Sequence, residues 1–117
     1  HLWYRRQRQM CIRDSSSIAA EIGKIALNDK TWISQMEKIL LEGSNVLHRA
    51  CNTKNWKLIG KTNLFHTYAT SSSLEVEKQF AAHYIWIRTF DYSETWVRLG
   101  IPTSKYEWTR VRQALNQ

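Results

Sequence analysis

The sequence predicts an α+β domain: a small, mostly antiparallel sheet with helices packed on one face, preceded by a long connecting helix. Three observations carry this expectation. Apolar residues recur at helical spacing from Ser17 to Cys51, with no strand pattern before them. Strand-like runs then come in two pairs, within 56–70 and 84–101, each pair divided by a polar turn. A helical pattern lies between the pairs and another closes the chain.

Each element has its own signal. Ile18, Ile22, Ile25 and Ala26 fall three and four apart and predict a first helix from Ser17. Asp29 is suited to cap the next one, expected from about Thr31 to Cys51. Its apolar stripe reads Ile33, Met36, Leu40, Val46, Leu47 and Ala50, with Gln35, Glu37, Lys38 and Glu42 toward water. Gly43 reads as a weak point in that helix, and NTKN at 52–55 ends it. WKLIGKTN gives a strand with Trp56, Leu58 and Gly60 before a polar turn. In LFHTYAT, Phe65, Thr67 and Ala69 share one face and Leu64, His66 and Tyr68 the other. TSSS at 70–73 offers caps for a helix over LEVEKQFAAHY, with Leu74, Val76, Phe80 and Ala81 inward. YIWIRTF and TWVRLGI predict two further strands joined by DYSE, and Pro102 stops the second because proline donates no ladder bond. SKYEWTRVRQALNQ predicts a closing helix, with Ser104 and Glu107 at capping-box spacing.

Composition narrows the function. At 117 residues and 43% apolar content, the chain has ordinary globular usage, which excludes a disordered segment. No apolar run has the length of a membrane span or of a signal-peptide core, so no membrane partner is expected. Two cysteines, Cys11 and Cys51, make no disulfide framework and point to a reducing, cytoplasmic compartment. His1, His48, His66 and His83 have no metal-ligand spacing, so no metal is expected. The net charge of +7 invites a nucleic-acid reading. Much of it, however, comes from Arg5, Arg6, Arg8 and Arg13 in HLWYRRQRQMCIRDS, opposed only by Asp14. RRQRQMCIRDS resembles a translated sequencing adapter, so residues 1–15 are expected to be non-native, and no nucleic-acid partner follows from the remaining charge.

No complete active site is legible. The four glycines are isolated, no nucleophile elbow or Cys–His pair is recognisable, and the acids are scattered. Two arginines stand out inside apolar runs, Arg88 in YIWIRTF and Arg98 in TWVRLGIP, each with a Trp two positions earlier. Strand alternation puts Trp86, Arg88 and Phe90 on one face, and Trp96, Arg98 and Gly100 on one face. If the strands are neighbours, both guanidiniums project from one side, flanked by indoles, and suit a carboxylate or phosphate held bidentately. Gly100 would leave room for that ligand. The plainer alternative is a solvated face on which arginine stems cover tryptophan rings.

These residues carry a family resemblance. The stretch LFHTYATSSSLEVEKQFAAHYIWIRTFDYSETWVRLGIPTSKYEWTRVRQAL resembles the C-terminal end of the threonine-phosphate decarboxylases of cobalamin biosynthesis, which are aspartate-aminotransferase-like, fold type I pyridoxal-phosphate enzymes. The shared pattern is a strand beginning LF, a helix, an I-W-x-R-x-F strand, then W-x-R-L-G-x-P and a closing helix that often holds a Trp. ALNDKTWISQM resembles the junction between that family's large and small domains. Histidinol-phosphate aminotransferases share the layout but usually carry Thr in place of Pro102 and lack Trp96.

The resemblance implies that 16–29 end a truncated large domain and 30–117 form an aminotransferase-like small domain. It implies a homodimer when intact, pyridoxal phosphate bound by the missing large domain, and a phosphorylated amino-acid substrate. Carried over by position, Arg98 matches the arginine that binds an acidic group of the substrate, and Arg88 a second arginine near the site. None of the chain's lysines sits in a context matching the cofactor lysine, so no catalytic or cofactor-binding residue is expected in this part, and the chain alone should be inert. A histidinol-phosphate or other class I/II aminotransferase is the alternative on the same fold. A free-standing basic module binding RNA or protein is the alternative from the residues alone.

Overall fold

A computed structural model describes residues 16–116. The adapter-like segment 1–15, with Cys11, lies outside the described residues. The described residues fall into two compact units, divided between Gln35 and Met36. The division falls within the long helix.

In the first unit, α1 spans Ser17–Asn28 and is capped by Ser16, whose Oγ accepts from the Ala19 amide at 3.1 Å. It has no buried residue, and Ile18, Ile22, Ile25 and Leu27 are all largely exposed. The next helix, α2, spans Lys30–Asn52. Asp29 caps it as the sequence predicts, its Oδ1 accepting from the Trp32 amide at 2.9 Å.

The second unit is an α+β sandwich of one sheet and its helices. The strands are β1 (Lys57–Lys61), β2 (Phe65–Ala69), β3 (Arg88–Phe90) and β4 (Ser93–Gly100), and α3 (Ser73–Ala81) and α4 (Lys105–Leu115) complete it. The strand order is β1-β2-β4-β3, and every pairing is antiparallel. Period-two alternation turns His66 and Tyr68 of β2 and Val97 and Leu99 of β4 inward, where all four are buried. Leu47 and Cys51 of α2, Val76 and Phe80 of α3, and Val111, Ala114 and Leu115 of α4 close over them.

The α2 stripe faces inward as the apolar pattern predicts, whereas α3 is turned away from its predicted face. On α2 the buried row is Ser44, Leu47 and Cys51, while Val46 and Ala50 are half-buried at its flank. Ser44 holds a core position because its hydroxyl has a buried partner, described below. On α3 the buried row is Ser73, Val76 and Phe80, whereas Leu74 is 57% exposed and Ala81 is exposed. The Ser72 cap starts the helix at Ser73, its Oγ accepting from the Glu75 amide at 3.4 Å.

Gly43 is a close-approach position rather than a weak point. A Cβ there would lie 2.7 Å from Ile101 Cγ2, with Pro102 and Trp108 just beyond. The glycine lets α2 approach the segment that joins β4 to α4.

The strand predicted over YIWIRTF is shortened to Arg88–Phe90. The preceding residues close α3 in a Schellman-type turn: the Tyr84 amide donates to Ala81 O at 2.9 Å and the Ile85 amide to Phe80 O at 3.0 Å. That turn needs a left-handed residue, and Tyr84 takes the position with φ 57°. Arg110 of α4 holds the turn. Its Nε donates to His83 O at 2.9 Å, and its Nη2 donates to His83 O at 2.6 Å and also to Tyr84 O. At the start of α4, Ser104 and Glu107 form the capping box read from the sequence.

Candidate functional site

The β3–β4 register decides where the two arginines sit. Arg88 is the direct cross-strand partner of Arg98, so both project from the same face of the sheet. This is the face away from the buried row, and β2 extends it with Phe65, Thr67 and Ala69, paired to Gly100, Arg98 and Trp96. Arg98, on an inner strand, is half-buried; Arg88, on the edge strand, is exposed. Like charges placed directly opposite each other weaken a ladder, so this pairing costs the sheet stability.

The aromatic partners are not the indoles that strand spacing suggests. The Arg98 guanidinium lies over the Phe65 ring, Cζ to centroid 4.6 Å, and that of Arg88 lies over Phe90 at 5.9 Å. Trp86 precedes the shortened strand and is 89% exposed, and Trp96 packs edge-on against Tyr92 at 6.2 Å. Trp86 still lines the groove into which both arginines open. This groove, about 580 Å³, is bordered by Arg88, Arg98, Phe90 and Tyr92, with Glu77 and Asp91 supplying carboxylates. The space expected beside Arg98 is present: a methyl added at Gly100 would meet no atom within 4 Å. Among the described residues, nothing fills that space.

A guanidinium stacked by its face keeps its in-plane N–H edge free. Two guanidiniums lining one groove can together take a carboxylate or a phosphate.

A second cluster, in the core, was not legible from motifs. Ser44 Oγ lies 2.7 Å from His66 Nε2, and His66 Nδ1 lies 2.9 Å from the Tyr68 hydroxyl. His48 Nδ1 reaches the same hydroxyl at 3.4 Å, and the Cys51 thiol is a further partner of Tyr68. Whichever imidazole nitrogen carries the proton, one hydroxyl donates to the ring and the other accepts. Burial, aided by positive charge from Lys61 and His48, pulls His66 down to about 4. Burial pushes the Cys51 thiol up to about 12 and the Tyr68 hydroxyl upward as well. The Ser–His distance suits nucleophile activation, but Ser44 is 2% exposed and His66 fully buried, so no substrate can reach them. The cluster is a polar tie between α2 and β2. The one sequence signal for it was a serine on the helical stripe between Leu40 and Leu47, facing a strand histidine that alternation turns inward.

Among the described residues, no group of His, Cys, Asp and Glu is placed to hold a metal ion, and no helix is long and apolar enough to cross a membrane. No protein-family model matches the chain, and no curated protein matches it.

Proposed function

We propose that this chain is the substrate-gripping C-terminal part of a cytoplasmic, homodimeric pyridoxal-phosphate lyase that decarboxylates L-threonine O-3-phosphate to aminopropanol phosphate in cobalamin biosynthesis. The observation that carries the proposal is the direct pairing of Arg88 with Arg98 on an open sheet face, beside unfilled space at Gly100. A costly like-charge pair with room next to it is what a dianionic or doubly acidic ligand would relieve. The family resemblance supplies the reaction class.

Among the described residues, no lysine lines the groove. Under the proposal the cofactor belongs to a large domain, where it supplies the electron sink for the bond broken at the substrate α-carbon. The contribution of this chain is orientation. Arg98 takes an acidic group of the substrate in its fork, and Arg88 adds a second positive charge from the neighbouring strand. Fixing the acidic ends sets which α-carbon bond is aligned for cleavage, the feature that separates a decarboxylase from an aminotransferase.

Two experiments test the proposal. The DNA upstream of codon 16 should encode a large domain with a cofactor lysine; a stop codon directly upstream would overturn it. In the intact enzyme, Arg98→Lys keeps the charge but loses the fork, and a lost charge-assisted contact is worth roughly 1.5–3 kcal/mol, or about one to two decades in kcat/KM. The cofactor spectrum should stay unchanged, and Arg88→Lys should show a smaller defect of the same kind. Near-normal kinetics for Arg98→Lys would remove the substrate-anchor role.

One observation favours a second reading, a module for single-stranded nucleic acid. Aromatic rings and arginines alternate on an open sheet face, as on a base-stacking platform. Glu77 and Asp91 in the same groove oppose a polyanion, and RNA binding with a steep salt dependence would be needed to sustain it.

A further inference from the structure

The position of Phe65 is set by what faces it. It stands on β2 directly across from Gly100, which has no side chain to meet it. Its ring leans instead along the diagonal to Arg98 and underlies the guanidinium at 4.6 Å, leaving the space above Gly100 clear. On the other flank of Arg98 stands Arg88, whose like charge disfavours any swing of the guanidinium toward β3. We infer that Phe65 is the positioning residue for Arg98: its ring lies against the guanidinium and holds it on the open sheet face beside Arg88.

Three features support the assignment. Phe65 is 37% exposed, so it adds little to the core, and an aliphatic side chain would serve the strand as well. Stacking engages the face of the guanidinium and none of its donors, so a stacked arginine is ordered without being consumed. Arg88 lies farther from its ring, at 5.9 Å, and is the more exposed arginine. The pair therefore consists of one fork held close to its ring and one exposed charge. The inference rests on the proposed function only for the purpose of the ordered fork, not for the ordering itself.

The test uses the full 117-residue chain labelled with ¹⁵N. The Arg98 Nε–Hε signal is assigned by its loss in Arg98→Lys. In the unmodified chain it should carry a ring-current shift and show restrained relaxation. Phe65→Leu should abolish the shift and free the side chain, while Phe65→Tyr keeps both and the Val97 and Leu99 amides stay in place. Apparent affinity for inorganic phosphate should fall about two- to fivefold in Phe65→Leu, the worth of an exposed cation–π contact, and recover in Phe65→Tyr. An Arg98 signal equally restrained in Phe65→Leu would overturn the inference. An unmodified chain with a restrained Arg98 that ignores phosphate would leave the positioning role standing and remove the anion-binding reading instead.

Discussion

At position 43 a single missing methyl settles a contest between local and tertiary preference. Alanine is the better helix former by about 0.8–1 kcal/mol. A Cβ at 43 would nevertheless lie 2.7 Å from Ile101 Cγ2, a methyl on a β-branched side chain with little rotamer freedom. Overpacking of that kind typically costs about 1–3 kcal/mol, so the tertiary effect wins. Gly43→Ala should therefore lower stability by about 1 kcal/mol in denaturant titration, and a more stable variant would show that Ile101 yields. The sequence reads this glycine as a local weakness, because the atom that requires it comes from the far side of the chain. The paired arginines are the opposite case. Their shared face was legible, since alternation and adjacency alone imply it. Their ring partners were not, because Phe65 lies on a strand that only the β2–β4 register brings beside Arg98.

At the scale of elements, helix starts were the most legible features. Asp29 and Ser104 both cap as their chemistry predicts, because a cap is a contact across three residues. The start of β3 was not legible, because the turn closing α3 runs through Ile85 and takes residues whose composition suits a strand. Its left-handed residue is a tyrosine, where glycine would be relaxed. A left-handed conformation costs a non-glycine residue roughly 1–2 kcal/mol, partly offset in Tyr84→Gly by the greater freedom of glycine in the unfolded chain. Tyr84 is largely exposed and its side chain touches little beyond Arg110. Tyr84→Gly should thus stabilise the protein by about 0.5–1 kcal/mol, raising the thermal midpoint by a few degrees. A lower midpoint would mean that the Tyr84–Arg110 stacking outweighs the backbone strain.

For the whole molecule, the buried polar tie makes stability depend on acidity. His66 holds its proton poorly when folded, near 4, while the unfolded chain returns it to its ordinary value of 6.5. Between those values the unfolded state binds more protons, so stability falls as pH falls, by up to about 1.4 kcal/mol per pH unit, and levels off below the folded value. Glu107, held below its usual range by the Thr103 and Ser104 amides, adds a loss in the same direction at more acid pH. Urea midpoints measured from pH 7 to pH 4 should decline through this window; a flat profile would mean that His66 can charge without opening the core. Acid sensitivity of this kind was hidden in the sequence, where Ser44 and His66 are two ordinary polar residues far apart. The architecture itself was not hidden, because the α+β order and the inward face of each inner strand follow from periodicity, whereas the β2–β4 pairing does not. The two ends of the sheet carry a further consequence, for behaviour at high concentration. On one side β1 is kinked by an unpaired residue between Leu58 and Gly60 and flanked by Lys57 and Lys61. On the other, β3 offers only three residues before it turns back. Neither margin presents the long, flat row of free amides and carbonyls on which another molecule could extend the ladder, so the fold resists fibril-like stacking through its strands.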